Sequence, residues 1–145
     1  MRRDIKEHLL ATKKEANRQV ERVLAARAAG TLNVEILRES LFIYVLAKFG
    51  LSEDEAPSHT MDELAEASLA KALRTNPHQV LETDRPATCD GARSVDMKQA
   101  LLIMTMQREF EVKLDGIRAG LADTTDDLAD LVFTAFMQTE AGASR

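Results

Sequence analysis

From Asp4 to Ala29 the chain has neither glycine nor proline, and Ile5, Leu9, Ala16, Val20 and Val23 recur at helical spacing. An unbroken stretch of this kind predicts one long first helix, with Gly30 placed to end it as a C-terminal cap. Thr12 and Lys13 interrupt the apolar stripe. The helix is therefore expected to hold only weakly to a core, and to be solvated or to pair with its own copy or a partner.

The same punctuation recurs downstream. Asn33 offers an N-cap for a helix over Val34 to Phe49, in which Leu37, Leu41, Tyr44, Val45 and Lys48 share a face. Ile36, Phe42, Ile43, Leu46 and Ala47 add apolar surface around the cylinder, which predicts a central core helix stopped by Gly50. "LSEDEAPSH" then reads as a loop, and Thr60 to Glu63 as a capping box that starts a helix carrying "LAEASLAKAL". Asn76-Pro77 ends that helix. The stretch from His78 to Arg93, with Pro86 and Asp90-Gly91, reads as loop with a helical turn near Val80-Leu81.

Ser94 is placed to cap a helix over "VDMKQALLIMTMQREF", with Asp96 in the first turn where the helix dipole favours an acid. Met97, Ala100, Leu101, Met104 and Arg108 mark one face, and Leu102, Ile103, Met106 and Phe110 widen it. This predicts a second core helix, with Met97, Met104 and Met106 as core filling. Thr124 caps the last helix, with Asp127 at its third position and Leu128, Leu131, Val132, Ala135 and Phe136 on one side. No stretch reads as a strand, so the fold class is all-α.

At 145 residues the chain can bury a core without staples. Residues 1–29 hold eight Lys/Arg against four Asp/Glu, so within a net charge of -5 a basic arm of +4 precedes a body of -9. An acidic body repels phosphate backbones, and 4% aromatics without tryptophan makes no base-stacking platform, so no nucleic acid is expected as the main ligand. The most apolar run, Leu41 to Phe49, is far short of the roughly 20 residues that span a bilayer, so no membrane span is expected. A single cysteine, Cys89, and an N-terminus without a signal-peptide core suggest a cytoplasmic protein.

Ordinary catalysis has no visible address. His8, His59 and His78 are scattered from one another and from Cys89, which argues against a metal site. A Gly-rich phosphate loop and a Gly-x-Ser-x-Gly elbow are both missing. The expectation is a protein that is not an enzyme.

"MQREFEVKLDGIRAGLADTTDDLADLVFTAF", Met106 to Phe136, resembles the second half of the acyl and peptidyl carrier proteins. Those end their second helix in Leu-x-x-x-Phe-x-Ile/Val-x-Ile/Leu, followed by a short third helix and a threonine-capped fourth. "LFIYVLAKFGLSEDEAPSHTMDELAEASL", Leu41 to Leu69, looks like the family's first helix, its glycine exit, its long loop and the Leu-Gly-x-Asp-Ser-Leu motif. The resemblance implies a carrier-protein-like four-helix bundle at residues 31–138, with an extra basic N-terminal helix at 1–30, an inserted loop at about 74–94 and a flexible tail at 139–145.

In that family the serine bears a 4'-phosphopantetheine arm. Aligned from the front, Ser68 takes that place, with Ala65 for the glycine and Ala67 for the aspartate. Counted back from Phe110 by the family pattern, the place falls on Asp96, which cannot take the arm, and Ser94 lies two residues too early. A shift of two rotates a helix by about 200°. The insertion thus falls at the modification site, and no cofactor is expected. The leading expectation is a docking or scaffold partner of a biosynthetic or peptide-maturation enzyme that offers a basic docking surface. The alternatives are a working carrier modified at Ser68 or Ser94, and a helical homodimer or regulator that pairs through its first helix.

Overall fold

The computed structural model describes residues 2–75 and 93–143, with the side chains of 2–6, 8–9, 75, 93–94 and 139–143 left out of the description. It is all-α: α1 is Arg2–Ala29, α2 Val34–Lys48, α3 Met61–Thr75, α4 Arg93–Glu109, α5 Gly116–Gly120 and α6 Thr125–Ala143. A single 3-10 turn, Glu53–Glu55, interrupts the loop after α2. Cys89, His78 and the turn expected near Val80-Leu81 lie outside the described residues.

Three helices end in the same way. At Gly30 (φ 74), Gly50 (φ 71) and Glu111 (φ 54) the backbone turns left-handed. The next residue then donates back five positions: Thr31 to Ala26, Leu51 to Leu46 and Val112 to Gln107. This is the Schellman closure, which satisfies carbonyls that a helix end leaves without partners. Leu46 and Leu51 are both buried, the apolar contact that accompanies the motif.

The starts are equally local, with one exception. Asn33 accepts from the Ile36 amide at 2.8 Å. At α6 the capping box is reciprocal: Asp127 N donates to Thr124 Oγ1 at 3.1 Å, and Thr124 N donates to Asp127 Oδ2 at 3.3 Å. At α3 the Thr60 amide instead donates to Ser58 Oγ at 3.0 Å, which corrects the expectation that it bonds Glu63. The difference is tertiary. Met61 N donates to Asp123 O and Thr125 N to His59 O, so an isolated bridge at Thr60 and Thr124 pins the starts of α3 and α6 together.

α2 is the hub. Leu37, Leu41, Tyr44 and Val45 are fully buried, with α1 along one side and α6 along another. α1 runs antiparallel to it: Arg22 pairs with Glu39, while Ala11 and Thr12 lie beside Leu46 and Leu51. α1 thus runs on past the end of α2 by roughly 13 Å. The second half of α1 holds more firmly than its pattern suggested. Ala16 and Val23 are fully buried in the common core, and Arg27 lies 4.2 Å over the Phe136 ring of α6. Small Ala16 lets the helices approach closely, and the interruption at Thr12 and Lys13 falls before the buried half.

α6 carries Leu128, Val132 and Phe136 into the same core and is tied to α2 by a two-pronged pair, Arg38 to Asp130 at 3.0 and 2.9 Å. It continues to Ala143, so the segment expected to fray from residue 139 begins as helix.

Among the described residues, Glu111 is the non-glycine residue at a left-handed helix exit. Its Cβ crowds the following carbonyl there, a strain that glycine lacks. Glu111→Gly is expected to raise stability by about 0.5–1 kcal/mol, read as a higher urea midpoint with unchanged slope.

Candidate functional site

Ser68 lies on the inner side of α3, 4% exposed, and donates to the Phe49 carbonyl at 2.6 Å. One turn on, Lys71 Nζ donates to the Gly50 carbonyl at 2.6 Å and to Glu55 Oε1 at 2.8 Å. The two side chains thus reach consecutive carbonyls at the exit of α2. A hydroxyl so placed is committed to the fold and does not face solvent. Ser94 lies in the first turn of α4 rather than before it, and its side chain lies outside the described ones. The two serines stand on different helices.

Glu55 closes the same corner. Its carboxylate takes hydrogen bonds from Lys71 and from the Ser52 backbone amide, which hold its pKa down to about 2 from an ordinary 4.5. A second polar cluster joins α2 to α4: Tyr44 donates to Glu109 Oε1 at 2.7 Å, and Lys48 pairs with the same oxygen at 2.8 Å. Burial, and then the bond to Glu109, push the Tyr44 hydroxyl far above its ordinary pKa. Burial works to raise Glu109, but the bonds from Lys48 and Tyr44 outweigh it and leave its pKa below the ordinary value. Tyr44 also meets Phe110 edge to face at 4.9 Å.

The outward face of α4 differs from the expectation. Leu102, Ile103, Met106 and Phe110 point into the core, whereas Met97, Leu101 and Met104 are 62%, 57% and 64% exposed. This corrects the reading of Met97 and Met104 as core filling, while Met106 is buried as expected. The helix carries two apolar stripes, and the one that continues to exposed Arg108 faces out. Ile117 and Leu121 of the α5 region are likewise exposed, at 76% and 73%.

Between α4 and α5 runs an open groove of about 370 Å³. Ala100, Ile103 and Met104 form its apolar wall, Gly116 and Gly120 its other side, and Asp96, Gln99 and Gln107 its polar positions. Asp115 caps α5 by accepting from Ile117 N and Arg118 N. Gln107 accepts from the Leu114 amide at 2.9 Å, and Gln99 donates to Asp62 of α3 at 2.6 Å. Asp96 is therefore the charged group on the groove lining, with Asp62 beyond Gln99 at the same end. A Cβ on Gly116 or Gly120 would meet nothing within 4 Å. No internal contact requires these two glycines, which stand at the first and last positions of α5.

Among the described residues, no group of three His, Cys, Asp or Glu is arranged to hold a metal, and no helix is long and apolar enough to cross a membrane. No protein-family model matches the chain, and searches of curated proteins and of solved structures found no match either. The groove and the apolar rim had a signal in the sequence, namely Gly116 and Gly120 one turn apart and the stripe that runs into Arg108.

Ser68→Ala removes a donor from a buried carbonyl, and is expected to cost about 1–2 kcal/mol, measured as a fall in the urea midpoint. Because the pKa of Glu55 is depressed on folding, its contribution is complete above pH 4.5 and is lost as pH falls toward about 2. Across that window the wild type should lose stability more steeply than Glu55→Gln, which lacks the contribution throughout. Parallel curves would contradict the pairing.

Proposed function

We propose that this chain is a non-catalytic, acyl-carrier-like protein that docks onto a biosynthetic or peptide-maturation enzyme through the outward face of α4 and α5. The observation that carries this reading is the set of exposed apolar side chains on the two helices that flank the groove, Met97, Leu101 and Met104 of α4 with Ile117 and Leu121 at α5, beside glycines that no internal packing needs. Contiguous apolar side chains on a surface mark interaction sites, and methionine adapts to irregular partner surfaces.

The enzyme surface that fits is basic with an apolar knob. Asp96 and Asp62 at one end of the groove ask for a cation, and the net charge of -9 over residues 30–145 favours a basic partner at long range. The carrier resemblance supports the choice of face: Phe110 follows the end of α4, a short α5 comes next and Thr124 caps α6, which is the helix order the resemblance implies. What supports a docking role over a loaded carrier is the placement of Ser68 and Asp96. Ser68 spends its hydroxyl on Phe49, and Asp96 holds the place that the Phe110 spacing assigns to a modified serine.

Site-specific photocrosslinking in the cell of origin tests this reading. A crosslinker in place of Met104 or Ile117 is expected to capture one and the same enzyme, and a crosslinker in place of exposed Asn17 on α1 is not. Capture that is equal from all three positions, or stronger from Asn17, would move the interface away from α4 and α5.

A further inference from the structure

A second hollow, of about 200 Å³, lies on the other flank of α4, where that helix meets the end of α2. Lys48 and Phe49 line it from α2, and Lys98, Leu101, Leu102 and Thr105 from α4. The α4 positions are spaced three, four and seven apart, one helical face. Phe49 and Leu102 are buried and form an apolar floor, while Leu101 stands exposed at the lip.

The two lysines differ in what holds them. The Lys48 ammonium is paired with Glu109 at 2.8 Å. Lys98 is half-buried with its ammonium 5.7 Å from the centre of the Phe49 ring, and no carboxylate among the described residues pairs with it. Burial alone draws its pKa below the ordinary value. The Thr105 hydroxyl likewise has no hydrogen-bond partner among the described residues. A half-buried cation without a counter-charge is unfavourable for folding, and methionine at this position would fill the same space without that cost.

We infer that this hollow binds a small organic carboxylate with a short unbranched apolar body, its charge on Lys98, its second oxygen on Thr105 and its chain over Phe49 and Leu102. The space equals roughly seven waters, which suits a body of about six carbons. The carboxylate supplies a counter-charge that no described residue provides, and the floor removes the chain from water. The hollow shares none of the docking groove's lining residues, although exposed Leu101 belongs both to its lip and to the proposed docking face; the inference rests on Lys98, Thr105 and Phe49 and not on that reading.

The test uses the full chain, labelled for amide and lysine NMR, titrated with sodium hexanoate, hexan-1-ol and sodium chloride. Hexanoate is expected to shift amides around Lys98 and Thr105, to raise the Lys98 pKa, and to bind at least about tenfold more tightly than hexanol, the gain of one charge-assisted bond. Lys98→Met should lose that preference while folding at least as stably as the wild type. Hexanol binding as well as hexanoate, Lys98→Met binding hexanoate undiminished, or no hexanoate-specific shift near Lys98 would each overturn the inference.

Discussion

The carbonyl end of α2 is the constraint on which the rest of the structure depends. Phe49 and Leu51 at the exit of α2 are buried, so carbonyls left without partners beside them are costly. Gly50 closes part of that end from within, through the bond from Leu51 to Leu46. Ser68 and Lys71 close the rest from outside, on the carbonyls of Phe49 and Gly50. That requirement fixes α3 in rotation as well as position, since two side chains one turn apart must reach two consecutive carbonyls. With α3 placed, Asp62 meets Gln99, the Thr60–Thr124 bridge joins α6, and the face that α4 turns inward follows.

Much of this was legible in the sequence, because helix ends are governed by short-range chemistry. Asn33, Gly30, Gly50 and the Thr124/Asp127 pair act where local rules place them. Two ends were not legible. Glu111 takes a left-handed conformation that local preference assigns to glycine, and it does so because Phe110 and Val112 on either side are both buried. At Thr60 the capping amide turns to Ser58 because the bridge to Thr124, a contact across 64 positions of chain, sets the local backbone.

The candidate site was harder to read, for a related reason. A helix with two apolar stripes carries no local sign of which one faces the core. Met97, Leu101 and Met104 repeat as regularly as Leu102, Met106 and Phe110, and the difference lies in where Phe110 is anchored, against Tyr44. Arg108, continuing the first stripe, was the one residue that spoke for solvent. Ser68 was ambiguous in the same manner. A serine within an "EASLAK" helix can carry a group or bond a neighbour, and the Phe49 carbonyl that takes the Ser68 hydroxyl lies 19 positions away.

These contacts describe a helical protein in which Ser68 spends its hydroxyl on the Phe49 carbonyl and apolar side chains of α4 and α5 stand exposed; the docking role is the proposal built on them. The most direct measurement is the intact mass of the folded chain after incubation with coenzyme A and a broad-specificity phosphopantetheinyl transferase. The account predicts an unchanged mass. A gain of one phosphopantetheine, abolished by Ser68→Ala or by Ser94→Ala, would contradict it and make this chain a working carrier.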